Sequence, residues 1–110
     1  FNEQNKNFFG FDKMKKMKKG AFFVNTSRGE MVDEPALIEL LTSGHIAGAA
    51  LDVLEDDSSW SDEIPNENLL FKYYLSNENL ILTPHVGGHS IEAIYKTRKF
   101  MVDKLCKYLR

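Results

Sequence analysis

The chain holds a single cysteine, Cys106. Without a second thiol there is no internal disulfide framework and no thiolate metal cluster. Cys106 falls late in a helical pattern and is expected to be a packed thiol rather than a nucleophile. No apolar run approaches the ~20 residues of a membrane-spanning helix, so no membrane partner is expected. No signal-peptide pattern is visible, and a cytoplasmic protein is the default. Excess positive charge is also missing. Against 14 lysines and arginines stand 16 aspartates and glutamates, a net charge of -2 that makes no electrostatic case for nucleic acid. The 3 histidines and many carboxylates show no ligand spacing such as His-Glu-x-x-His, so no metal site is expected. The phosphate-cradling Gly-x-Gly-x-x-Gly is absent. Gly87-Gly88 is too short to replace it and follows the wrong strand. Internal repeats and low-complexity tracts are absent as well.

What is present suffices for one small domain: 110 residues, 43% hydrophobic and 27% charged, the balance of an ordinary globular protein. Its chemistry gathers in Phe22-Phe23-Val24-Asn25-Thr26-Ser27-Arg28-Gly29. An apolar run, bounded by Gly20 and Gly29, stops abruptly at small polar residues and one arginine. It reads as a buried strand of a parallel sheet. Two later runs repeat the pattern. Ala47 to Leu51 ends on Asp52, and Leu80 to Pro84 ends on His85. Strands running parallel in one sheet would bring Arg28, Asp52 and His85 out along the carboxyl edge, where open α/β sheets bind ligands.

The connections support that architecture. Phe1 to Asn7 is polar, with no cap or periodic pattern, and resembles the middle of a connection. Asp12 is expected to cap a helix with Met14 and Met17 on one face, and Gly20 to stand at its C′ position. Lys13, Lys15, Lys16, Lys18 and Lys19 interleave with these methionines as a solvated face rather than a phosphate-binding patch. Asp33 is an N-cap, Glu34 adds negative charge to the first turn, and Pro35 is tolerated there. Leu37, Leu40 and Leu41 make an apolar stripe that Gly44 ends. Strand, helix and strand form a βαβ unit. An acidic, irregular stretch from Glu55 to Asn68, with Trp60 and Pro65, is long for a compact domain and is expected to be functional or mobile. Leu69 to Leu75 suits a short helix. Ser90 caps a final helix whose apolar surface runs from Ile91 through Leu105 to Leu109.

Arg28 offers a planar fork that fits a carboxylate through two parallel hydrogen bonds, and Gly29 would let a ligand approach the backbone closely. His85, between Pro84 and Val86-Gly87-Gly88, is an acid/base candidate. His45 and His89 lack that setting and are expected to be structural. Asp52 could hydrogen-bond a cofactor amide or cap a turn. Asp56 and Asp57 lie where a carboxylate could reach a neighbouring imidazole, orient it and favour its protonated form.

Taken together, Met17-Lys18-Lys19-Gly20-Ala21, Asn25-Thr26-Ser27-Arg28-Gly29, Asp33-Glu34-Pro35-Ala36-Leu37, Ser43 to Val53 and Thr83-Pro84-His85-Val86-Gly87-Gly88 resemble, in order, the nucleotide-binding domain of the D-isomer-specific 2-hydroxyacid dehydrogenases. The resemblance implies an α/β fragment: a partial, Rossmann-like doubly wound parallel sheet with flanking helices. It implies NAD as cofactor, with NADP still open, and a small 2-hydroxy or 2-keto acid as substrate. Arg28 then binds the substrate carboxylate, His85 is the acid/base, Asp57 is its acid partner and Asp52 meets the nicotinamide. Thr26, Ser27, Val86, Gly87 and Gly88, with Arg28 and His85, fall at cofactor-lining positions.

The chain departs from the family where glutamate followed by proline is usual. Here Asp57 is followed by Ser58, and the loop is longer. The glycine-rich fingerprint, its ribose-reading acid and nearly all of the substrate domain are missing. Residues 1–110 are thus expected to be the C-terminal half of a cofactor domain. The helix over 90–110 would lead back toward a substrate domain, and a homodimer could form through the remainder. Alternatives are a dinucleotide-sensing module like the C-terminal-binding-protein corepressors, or an inactive remnant.

Overall fold

The computed structural model describes residues 2–57 and 67–108. Trp60, Pro65 and Leu109, named above, lie outside these described residues. Helix α1 spans Phe11–Lys15, β1 Ala21–Asn25, α2 Glu34–Thr42, β2 Ile46–Leu51, α3 Leu69–Ser76, β3 Leu80–Leu82 and α4 Ile91–Tyr108. The strands form one sheet in the order β1-β2-β3, every neighbouring pair parallel. Phe23 pairs with Ala49, and Leu51 with both Asn25 and Leu82, so the three strands end level with one another. The expected α/β architecture is therefore observed.

Local chemistry explains most boundaries. The Asp33 carboxylate accepts from the Ala36 N–H at 3.0 Å and starts α2. Gly44, at φ 68°, ends the chain's helical course with a backbone that other residues adopt at a cost. Asn68 caps α3 by accepting from the Phe71 N–H at 2.8 Å, and the Ser90 hydroxyl caps α4 by accepting from Ala93 at 3.0 Å. β3 stops short of the expected Pro84, because proline has no N–H to continue the ladder. The Thr83 N–H still donates to the Leu51 carbonyl at 3.0 Å.

Other expectations are corrected. Asp12 does not cap α1: Gly10 holds the cap position, and Asp12 lies within the first turn. The helix ends at Lys15, so Gly20 is not its C′ residue. Gly20 instead turns the chain into β1 at φ 82° and donates to the His45 carbonyl at 2.8 Å. The five lysines around it are exposed, with Lys13 Nζ lying 3.1 Å from the centre of the Phe8 ring. The N-terminal stretch is not structureless: Glu3–Asn5 form a 3-10 turn capped by the Asn2 side chain.

The core lies on one face of the sheet. Phe23, Ala49, Leu51 and Leu80 pack there with Met14 of α1, Leu37 and Leu40 of α2, and Leu70 of α3. On the opposite face Phe22 is 74% exposed and Val24 67%, so β1 is buried on one side only. A shallow apolar hollow of about 360 Å³ opens there between Phe22, Val24, Gly48, Ala50 and Ile81. α4 likewise buries none of its residues. Cys106 is accordingly exposed rather than packed. No helix among the described residues is long and apolar enough to cross a membrane.

Candidate functional site at the carboxyl edge of the sheet

Each strand delivers one polar group to the same edge. At the end of β1, Asn25 is buried and its side chain bends the chain. Its Oδ1 accepts from the Ser27 N–H at 3.0 Å and the Ser27 hydroxyl at 2.8 Å, while Nδ2 donates to the Arg28 carbonyl at 2.8 Å. Such an Asx turn is a local alternative to further strand. It leaves Thr26, Ser27 and Arg28 exposed beyond the sheet. The Arg28 Nη1 donates to the Ser27 carbonyl at 2.7 Å, and the guanidinium faces solvent.

Gly29 departs from expectation. A Cβ there would run into the Leu54 carbonyl and the Glu55 nitrogen. What approaches this glycine is the chain's own Leu54–Glu55 peptide, not a ligand.

Past β2, Asp52 is buried. It accepts from the Thr83 hydroxyl and the Val86 N–H (3.0 Å) on Oδ1, and from the Gly87 N–H at 2.8 Å on Oδ2. The Thr83 hydroxyl is the main reason its carboxyl is held below the usual range. Burial opposes this, while the Gly87 and Val86 amides and the nearby His85 reinforce it. Asp52 thus stays ionised and stitches β2 to the turn that carries His85.

That turn aims the histidine. The His85 N–H donates to the Thr83 carbonyl at 2.9 Å, and the residue adopts φ 52°, a left-handed backbone costly for a residue with a Cβ. His85 Nδ1 lies 3.0 Å from Asp57 Oδ2. The same oxygen accepts from the Leu54 N–H at 3.3 Å, and the Asp57 N–H donates to the Leu54 carbonyl at 3.2 Å. Asp57 is mostly buried, its side chain 15% exposed, whereas that of His85 is 47% exposed. An inner carboxylate thus holds an outer imidazole through Nδ1.

The sheet brings Arg28, Asp52, Asp57 and His85 to one edge. It keeps His45 at the other end, where Nε2 meets the Met17 carbonyl at 3.1 Å. His89 is exposed at the approach to α4, its N–H donating to the Val86 carbonyl at 2.9 Å. Val86, Gly87 and Gly88 are exposed beside Asp52. Sequence reasoning assigned no role to Asn25 or Thr83. The signal for Asn25 was a short amide directly after an apolar run and two residues before serine. Thr83 had none, since its partner is Asp52 on another strand. Among the described residues, no group of His, Cys, Asp and Glu is placed to hold a metal ion.

Three parallel strands with polar residues ranked along their carboxyl edge define a Rossmann-type nucleotide-binding unit. The chain belongs to the D-isomer specific 2-hydroxyacid dehydrogenase family: the model of that family's NAD binding domain matches residues 1–87. It is 37% identical over 107 residues to D-3-phosphoglycerate dehydrogenase of Escherichia coli (strain K12), covering 97% of this chain and 25% of that protein. The NAD-complexed D-isomer specific 2-hydroxyacid dehydrogenase from Lactobacillus delbrueckii ssp. bulgaricus superimposes with a TM-score of 0.79 at 32% identity, over 96% of this chain and 35% of that one. The Xanthobacter autotrophicus Py2 member, in complex with NADPH and MES, gives a TM-score of 0.64 at 34% identity, over 78% of this chain and 25% of that one. The chain thus spans about a quarter to a third of the length of these relatives.

The residues present fit the nicotinamide end of such a cofactor. Asp52 Oδ2 accepts one hydrogen bond from the chain, and a carboxylate oxygen has a second lone pair for a carboxamide N–H. Beside it Gly88 faces open space, with nothing within 4 Å of a Cβ placed there.

Proposed function

We propose that this chain supplies the catalytic edge of an NAD(H)-dependent oxidoreductase that interconverts a D-2-hydroxy acid and the corresponding 2-keto acid. The observation that carries the reading is the Asp57–His85 pair, 3.0 Å apart at the carboxyl edge of a parallel sheet. In the reducing direction, the imidazolium of His85 donates the proton from Nε2 to the carbonyl oxygen as that oxygen becomes a hydroxyl. Asp57 keeps Nδ1 engaged and stabilises the charged ring that gives the proton up. Arg28 meets the substrate carboxylate through two parallel hydrogen bonds, for which its planar guanidinium is shaped. Asp52, Thr26, Ser27, Val86, Gly87 and Gly88 would hold the nicotinamide end. NADH, when bound, supplies the hydride.

The uncovered sheet face and the unburied α4 support the further reading that this unit works within a longer polypeptide. Parallel sheets are covered on both faces, and an apolar helix stripe needs a partner. In this reading α4 leads toward a substrate domain, dimerisation takes place through the remainder of the polypeptide, and the setting is cytoplasmic. The test is an assay of the full polypeptide with NADH and glyoxylate, pyruvate or hydroxypyruvate. Keto-acid-dependent oxidation of NADH is expected. Tight NADH binding without turnover on any keto acid would instead favour a dinucleotide-sensing module.

A further inference from the structure

Glu34 occupies a place that an ordinary helix-start glutamate does not. The first turn of α2 favours a negative charge facing water, yet Glu34 is only 7% exposed. A carboxylate does not leave water without partners. Here Oε1 accepts from the Glu55 N–H at 2.8 Å, and Oε2 lies 3.5 Å from the Asn68 Nδ2. Burial pushes the Glu34 carboxyl above its ordinary range. The Glu55 amide opposes that, the Glu55 carboxylate adds to it, the Asn68 amide opposes it and Glu30 adds to it. So costly a placement is kept for what it holds. On one side, Gly29 leaves no room between itself and the Leu54–Glu55 peptide. On the other, the Leu54 N–H and carbonyl both bind Asp57, at 3.3 and 3.2 Å. Lys6 pairs with the Glu55 carboxylate at 3.3 Å, where both are largely solvated, so the buried anchor of this peptide is Glu34.

We propose that Glu34 is a positioning residue: by gripping the Glu55 N–H it fixes the Leu54–Asp57 turn, and so sets the carboxylate of Asp57 against His85. The inference rests on the reading of His85 as the acid/base.

The test uses the full polypeptide. It follows the high-pH limb of kcat/KM, and kcat itself, for keto-acid reduction. Among the described residues, the Asp52 and Asp57 carboxylates lie beside His85. Glu34→Ala removes the grip. It should move the limb to lower pH, in the direction of Asp57→Asn, and lower kcat on the order of tenfold by misplacing the Asp57 carboxylate. Glu34→Leu, which fills the space without an acceptor, should do the same and covers failure of the alanine variant to fold. Glu34→Gln keeps an oxygen for Glu55 and should recover most of the loss. In an Asp57→Asn background, Glu34→Ala should move the limb no further. The inference is overturned if alanine and leucine leave the limb in place while Asp57→Asn moves it. It is also overturned if glutamine moves the limb as far as alanine, because charge and not grip would then be acting. If Asp57→Asn itself moves nothing, the acid/base reading fails, and this inference with it.

Discussion

The Gly87 N–H donates to the Asp52 carboxylate at 2.8 Å, at a residue that has no side chain. A Cβ there would stand 2.9 Å from the same oxygen, inside ordinary contact. Asp52 ties the 83–87 turn to β2, so this contact sets where His85 can stand.

Gly87→Ala should therefore push the turn off Asp52. A substitution of this kind costs about 1 kcal/mol. The expected result is a lower melting temperature together with a loss of keto-acid turnover in the full polypeptide. Gly88→Ala, at a position where a Cβ meets nothing within 4 Å, should leave the melting temperature unchanged. Equal melting temperatures for the two variants would show that the close approach at Gly87 is not needed.

Asp52→Asn tests the charge in the same contact. Losing the charge weakens the hydrogen bonds that the Val86 and Gly87 amides make to it, a cost on the order of 1 kcal/mol at neutral pH. The Asp52 carboxyl is held below its ordinary range in the folded chain, with the Thr83 hydroxyl the largest cause. Its ionised form then adds stability that is fully present above the unfolded value of about 3.9 and is lost as pH falls through the lower folded value. The stability gap between wild type and Asp52→Asn, measured by denaturant unfolding, should be constant from neutral pH down to that region and close below it. A gap independent of pH down to strong acid would refute the assignment.

Arg28→Lys replaces a planar fork with a point charge. In the full polypeptide, kcat/KM should fall on the order of a hundredfold, a few kcal/mol of transition-state binding, with NADH affinity little changed. A variant with nearly full kcat/KM would remove Arg28 as the carboxylate anchor.

Asp57→Asn keeps the shape of the His85 partner and removes its charge. An ionised carboxylate beside an imidazole favours the imidazolium. Without it, the high-pH limb of kcat/KM for reduction should move to lower pH. Asp56→Asn should leave the limb in place. A limb that responds to Asp56 alone would put the acid one residue earlier.

Much of this edge was legible in the chain itself. Apolar runs that give way after Val24, Leu51 and Pro84 mark where parallel strands end, to within two residues for β3, and side chains just past such ends share one edge. Caps at Asp33 and Ser90 depend only on residues within one turn, and Gly44 depends only on its own backbone. These are short-range effects, written residue by residue. The limits of α1 were not legible, since Asp12 has the chemistry of a cap yet lies inside the helix.

Tertiary structure alone decided the relationships between segments far apart in sequence. It made Gly29 a seat for the Leu54–Glu55 peptide rather than for a ligand, and it turned Glu34 from a helix-start charge into a buried tether. It joined Thr83 to Asp52 and brought His85 within 3.0 Å of Asp57 at a left-handed backbone angle. It also left Phe22, Val24 and the whole of α4 uncovered, although their apolar pattern is that of buried elements. Periodicity records which residues would gain from leaving water. Whether they do, and which polar groups meet when the chain closes, depends on what packs against them in three dimensions.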